Sequence, residues 1–240
     1  MIGATVVATS FLSGIFGMAG GIILLGVLLV FLDVAQAMVL FGAIQTVANG
    51  WRAALWRHHA RWDIVWRYVI GSALAFAVLR SIAFVPDKAV VYLAIGILPF
   101  AVYALPKRLA PDITRPRMPQ VCGAVVMLVQ LFGGAAGHIL DQFFQASPMD
   151  RRAVVATKAM TQTVAHLFRI AYFGSFAAAF DVVIPWWVYA GAMALAMLGT
   201  TLAAQVLERM TDTGFRLWSK RIVIAVCIVY IARGLWLAAG

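Results

Sequence analysis

Charge is what this chain has least of. Only 12% of its 240 residues are charged, about half the share of an ordinary soluble domain, while 64% are hydrophobic. A water-soluble globule does not fit that balance. Acidic residues are the scarcest class, 9 Asp and Glu against 19 Lys and Arg, which leaves a net charge of +10. Such an excess can signal nucleic acid, but here the cations stand in short breaks between apolar runs rather than in one stripe or tail, which reads as orientation in a membrane. Cysteine is nearly absent, and Cys122 and Cys227 both fall inside apolar segments, which argues against a disulfide framework and against a Cys-based metal site. The sequence has no nucleophile motif, no phosphate-binding glycine loop followed by lysine and no second pair of carboxylates. Enzymatic catalysis has no support in it, and no cofactor or metal is expected. The apolar first thirty residues lack a basic start and run into a further apolar segment after Asp33, so they are not read as a cleaved signal.

What the chain has in abundance is apolar runs. Eight occur, at about 2–32, 34–56, 63–85, 89–105, 120–146, 153–179, 182–206 and 220–238, most of them near the roughly 20 residues a spanning helix needs. The expected fold is an all-α polytopic membrane protein with the lipid bilayer as its solvent. A polar, proline-rich break, Pro106 to Pro119, divides the chain. The expected organisation is a first transmembrane repeat over 1–105, a cytoplasmic linker over 106–119 and a second repeat over 120–240.

Shifting the sequence by 117 positions supports a duplication. Gln45-Thr46-Val47-Ala48 then lies on Gln162-Thr163-Val164-Ala165, Asn49 on His166 and Arg52 on Arg169, and Gly17, Ala19, Gly20 and Ile22 fall on Gly134, Ala136, Gly137 and Ile139. The first segment of each half is broken by glycines, at Gly17, Gly20 and Gly21 and at Gly133, Gly134 and Gly137. Each flank is too short to span comfortably, so a re-entrant hairpin is expected. With segments one and five re-entrant, all four basic breaks come to one side, as the positive-inside rule asks. Each half then crosses three times, the halves are inverted and both termini lie outside the cytoplasm. Eight full crossings with parallel repeats is the rival arrangement.

Ionisable and amide residues at membrane depth mark candidate sites, because each charge is costly there and turns to an interior cavity. Gln45, Asn49 and Arg52 share one helical face, and Lys158, Gln162, His166 and Arg169 form the matching stripe. Amides at the middle, a guanidinium toward each mouth, and backbone N–H groups at the glycine breaks all favour a small oxyanion. The candidate substrate-binding residues are Gln45, Thr46, Asn49, Arg52, Lys158, Gln162, Thr163, His166, Arg169, Gly17, Gly20, Gly21, Gly134, Gly137 and His138. His138 and Asp141, or His166, are candidates to couple a proton.

The run Gly17-Met18-Ala19-Gly20-Gly21 before a Leu/Val stretch, Arg57-His58-His59-Ala60-Arg61-Trp62-Asp63 after the second segment, and Ala156 to Thr163 through Tyr172-Phe173-Gly174 resemble the sulfite exporter TauE/SafE family over nearly the whole chain. The resemblance implies a bacterial inner-membrane secondary transporter, exporting or importing small sulfur or carbon oxyanions by alternating access on an ion gradient, with a proton or sodium ion as the coupling partner. Gly26 stands where the family often has proline, and the second glycine cluster ends in His138. A passive anion channel and a non-transporting membrane scaffold fit the same residues. The sequence does not fix the oligomeric state and is compatible with an oligomer.

Overall fold

The structure is a computed structural model that describes residues 2–16, 18–104, 106, 111–177, 184–207 and 212–239. It is all helical among the described residues: α1 (Ile2–Phe16), α2 (Met18–Phe31), α3 (Val34–Leu55), α4 (Trp62–Ile82), α5 (Lys88–Ala104), α6 (Met118–Gly133), α7 (Gly137–Gln145), α8 (Arg151–Ala177), α9 (Trp186–Leu207) and α10 (Asp212–Ala239). Each expected apolar segment is helical. The two glycine-broken ones are each split in two, α1 from α2 and α6 from α7.

Both splits reverse the chain. In the first, Gly20 near the start of α2 lies against the backbone of α1 at Thr9 and Ser13, an approach that leaves no room for a Cβ. Residues seven and eleven apart meet this way only if the two helices fold back on each other. In the second, Gly134 takes a left-handed conformation (φ 73°) that ends α6, as glycine does without the Cβ penalty. The Ile113 N–H, ahead of α6, donates to the Phe143 carbonyl near the end of α7 at 3.0 Å. Segment five therefore starts and finishes at the same end of the molecule. That end also gathers Ile64, Met118 and Met149 into one apolar cluster, with Arg57, Arg61, Arg115 and Arg117 in the adjoining breaks and Arg151 and Arg152 at the start of α8.

The helices pack across the two halves. α3 lies on α8, α5 on α10, α1 on α9 and α6 on α4. Glycines set the closest crossings: Gly71 meets the Gln120 carbonyl and Gly123 the Tyr68 carbonyl where α4 crosses α6. α3 and α8 run antiparallel, since Gly42 faces Ile170 and the His166 carbonyl while Gly50 faces Thr163.

Among the described residues three helical stretches are long and apolar enough to cross a membrane by themselves: Trp62–Ile82, Trp186–Ala203 and Arg221–Ala239. α3 and α8, with 22 and 27 residues, have the length and lack the apolarity, because they carry Gln45, Asn49, Arg52, Lys158, Gln162, His166 and Arg169 and bury most of them. Outward faces are apolar instead. On α4, Trp66, Ile70, Leu74, Val78 and Ile82 form one exposed row at four-residue spacing, a side chain on every turn for lipid.

Candidate functional site

Between α3 and α8, closed by the two hairpins, lies a cavity of about 60 Å³. A water needs roughly 10–15 Å³ on the same measure, so the space suits a few waters or one small ion. Gln45, Asn49 and Arg52 reach it from α3, Lys158, Gln162, His166 and Arg169 from α8, and Ser13, Gly21, Gln130 and Gly137 from the hairpins. The helical spacing explains the convergence: residues at i, i+4 and i+7 stay on one face for two turns, and the antiparallel crossing turns both faces inward.

Arg169 dominates the site. It is 0% exposed, and its Nη2 donates to the Gly134 carbonyl at 2.5 Å and to the Gln130 carbonyl at 3.5 Å. Both acceptors lie at the C-terminal end of α6, where unpaired carbonyls and the helix dipole favour a cation. The Phe41 ring lies under the guanidinium, 4.8 Å from Cζ to centroid. Nε and Nη1 have no hydrogen-bond partner in the protein, and no carboxylate among the described residues pairs with it.

Arg52 repeats this arrangement. Its Nη2 donates to the Ser13 carbonyl at 3.3 Å, in the last turn of α1. Ser13 and Gln130 are themselves 117 positions apart, as are Arg52 and Arg169, so each arginine makes the same contact in its own half. Along α8, Arg169 stands level with residues 43–44 of α3, about 13 Å from Arg52 at 1.5 Å per residue. The two cations flank the middle of the crossing.

The remaining polar groups are held in place. Asn49 Nδ2 donates to the Gln45 carbonyl at 2.9 Å, and Gln130 Nε2 to the Ala165 carbonyl at 2.6 Å. The Gln45 amide sits on Gly21, where a Cβ would come within 2.6 Å of Nε2. His166 is buried edge-on to Phe41, centroids 5.6 Å apart and planes at 85°, with Nδ1 unpartnered in the protein. Lys158 lines the cavity and donates to the Asp141 carboxylate. The sequence reading set Asp141 with His138; the structure gives its ion pair to Lys158, with His138 one turn away interacting electrostatically with both. Among the described residues no Asp or Glu lines the cavity itself.

Not every expected residue reaches the cavity. The Thr163 hydroxyl donates to the Ala159 carbonyl at 2.8 Å and lies beside Gly50, and Thr46 is not among the lining residues. Gly20 supports the first hairpin and Gly134 supplies the carbonyl for Arg169. His138 sits on α7 behind the wall, and Gly17 lies outside the described residues. Missed in the sequence were Ser13, Gln130 and Phe41. A signal existed for the first two, since they coincide under the 117-residue shift as polar residues just before each glycine cluster. Among the described residues no group of His, Cys, Asp or Glu could hold a metal ion.

No curated protein and no solved structure matches the chain. The sequence model of the sulfite exporter TauE/SafE family matches residues 1–233. With its all-helical build and apolar outer faces, the chain belongs to that family and is a multi-pass membrane transporter of the sulfite-exporter type.

Proposed function

We propose that the chain is a secondary transporter of a small oxyanion, such as sulfite, an organosulfonate or a small carboxylate, working by alternating access about the α3–α8 crossing. The observation that carries this reading is Arg169: a buried guanidinium beside a cavity, with two nitrogen donors unpartnered and no carboxylate among the described residues to neutralise it. A buried charge of that kind calls for a counter-ion, and a trigonal or tetrahedral oxyanion fits the fork that guanidinium offers. Gln45, Asn49, Gln162 and His166 complete the donor set, Arg52 serves the opposite mouth, and Thr46 and Thr163 back the site from the α3–α8 interface.

Two inverted repeats fit the packing. Exchanging the halves turns the α1–α9 contact into α6–α4, maps α3–α8 and α5–α10 onto themselves, and matches the two arginine contacts. The equivalent helices α3 and α8 are antiparallel, as inversion requires. We read the two hairpins as re-entrant from opposite faces, segment five from the arginine-rich end, which the positive-inside rule puts in the cytoplasm of a bacterial inner membrane, and segment one from the other face. Both termini are then non-cytoplasmic.

The test is thermal unfolding of the purified protein against sulfite, thiosulfate, methanesulfonate, acetate, lactate and phosphate. A ligand at 100 times its dissociation constant should add about 2.7 kcal/mol to the folded state. Selective stabilisation by one oxyanion, with saturable counter-exchange in proteoliposomes, is expected; flux without saturation or exchange would make the protein a channel, and stabilisation by none of the panel would remove the anion reading.

A further inference from the structure

The second half carries an ion pair that the first half lacks. Under the 117-residue register, Lys158 and Asp141 stand where the first half has Phe41 and Leu24. The position of Asp141 is unusual for this chain. Asp33, Asp87, Asp112 and Asp150 lie in breaks between helices, and Asp63 and Asp212 occupy the first two positions of theirs. Asp141 alone among the described acids lies inside a helix, at the fifth position of α7. Lys158 and Asp141 retain 22% and 27% side-chain exposure, and Lys158 faces the cavity. Lys158 is part of its wall, Asp141 is held to it from behind, and neither is fully buried.

We propose that Lys158 and Asp141 form the proton-coupling element of the transport site. An oxyanion entering the cavity takes Lys158 as a counter-ion. The Lys158 N–H to Asp141 hydrogen bond breaks, an N–H hydrogen bond to the anion forms, and a carboxylate oxygen of Asp141 takes up a proton from hydronium or buffer acid in the bulk solution, where the conjugate base remains. This inference rests on the anion reading of the cavity. Its physical basis is that separating one partner from a poorly solvated ion pair leaves an uncompensated charge, and a carboxylate relieves that by protonation. The paired wall is neutral before binding, and the loaded wall has exchanged one internal anion for one external anion plus a proton.

Other charged and titratable groups stand on the elements packed around the pair. On α8 they are His166, Arg169, Tyr172 and, at its start, Arg151 and Arg152; on α7, His138; on α3, Arg52; on the turn after α3, Arg57, His58 and His59; on α4, Asp63, Arg67, Tyr68 and Arg80. α6 carries no charged side chain and only Cys122 as a titratable group, and α5 carries Lys88 at its first position with Tyr92 and Tyr103. Of the groups on α7 and α8, His138 and His166 are the alternative proton acceptors that the variants below distinguish from Asp141.

Binding and protonation are linked reciprocally. If the anion brings a proton, its apparent Kd rises with pH, approaching tenfold per unit for one proton. The probe is thiosulfate, which does not itself titrate near neutrality, and the measurement is calorimetric titration of the full-length protein in two buffers of different ionisation enthalpy. The expected result is about one proton taken up per thiosulfate bound by the wild-type protein. Asp141→Asn should bind with no proton uptake and a Kd that is flat with pH, and Asp141→Glu should keep the uptake. Wild-type binding without uptake overturns the proposal while leaving the anion site intact. Uptake that survives Asp141→Asn but vanishes in His138→Gln or His166→Gln overturns it in favour of a histidine. A wild-type protein that binds none of thiosulfate, sulfite or methanesulfonate removes the anion site and this coupling together.

Discussion

A single guanidinium does two jobs in this molecule. Arg169 satisfies the carbonyls at the end of α6 and offers its other nitrogens to the cavity. Arg169→Ala is therefore expected to lose all anion-dependent stabilisation, about 2.7 kcal/mol at saturating ligand, and to lower the ligand-free melting temperature as well. Arg169→Lys keeps the charge but not the fork, so it should bind the same anion at least about tenfold more weakly, or about 1.4 kcal/mol. Calorimetric titration of both variants checks the pair. Arg169 and His166 were legible in the sequence because charge at membrane depth has no trivial place to be. Phe41 was not, since nothing distinguishes an aromatic under a cation from one facing lipid until the partner helix is in position.

A second prediction at this scale concerns acid. The Asp150 carboxylate accepts the N–H groups of Ala153 at 3.1 Å and Arg152 at 2.9 Å, capping the start of α8. Those bonds, the Ala153 one foremost, hold its carboxyl below the usual carboxylate range. A lowered folded-state value means the stabilisation is present above the unfolded value of about 3.9 and is lost as pH falls through the folded one. Melting curves from about pH 5 down to 3 should show a shallower acid decline for Asp150→Asn than for the wild type.

Among the elements, glycine sorts into two kinds. Gly71 and Gly123 sit where α4 and α6 cross backbone to backbone, and any Cβ there would strike a carbonyl. Alanine at either should cost at least about 1–3 kcal/mol through forced separation of the helices. Gly174 in α8 and Gly191 in α9 face open space, and alanine there should be neutral or stabilise by up to about 1 kcal/mol from helix propensity. Denaturation of the four variants in detergent separates the two kinds; equal effects would mean the close crossings do not hold the fold. The sequence could not sort them, because a glycine needed for a crossing looks the same as one that is tolerated. It did mark both hairpin turns, where clustering made the glycines conspicuous. What stayed hidden was the shortness of α7, nine residues, since the apolar segment at 120–146 does not show how unevenly its break divides it.

For the molecule as a whole, the two candidate topologies part at Ser147. Segment five as a hairpin puts Ser147 on the same side as Arg115, and a full crossing puts it on the other. Single cysteines at His59, Arg115 and Ser147 should label together from one face of the membrane and a cysteine at Asp87 from the opposite face; the buried native Cys122 and Cys227 give little background. Labelling of Ser147→Cys with Asp87→Cys would reverse the topology. The even distribution of cations under eight full crossings, against their collection on one side under the hairpin scheme, is what favours the hairpin order in the sequence. The packing of α1 on α9 and of α6 on α4 was not readable, because helix partners are chosen by shape after the segments are already in the bilayer.

That crosswise packing has a consequence for how the protein is made. α1 rests on α9, and Trp186 follows Ile2 by 184 positions (186 − 2), so at roughly 5–20 residues per second the ribosome delivers the partner on the order of 10 to 40 s after α1 has emerged. During that interval the first hairpin has no mate, with Gly199 of α9 not yet there to close on Val7 and Ser10. A nascent chain cut short after residue 105 would hold an exposed, polar-faced hairpin in lipid, a substrate for membrane quality control rather than a stable half.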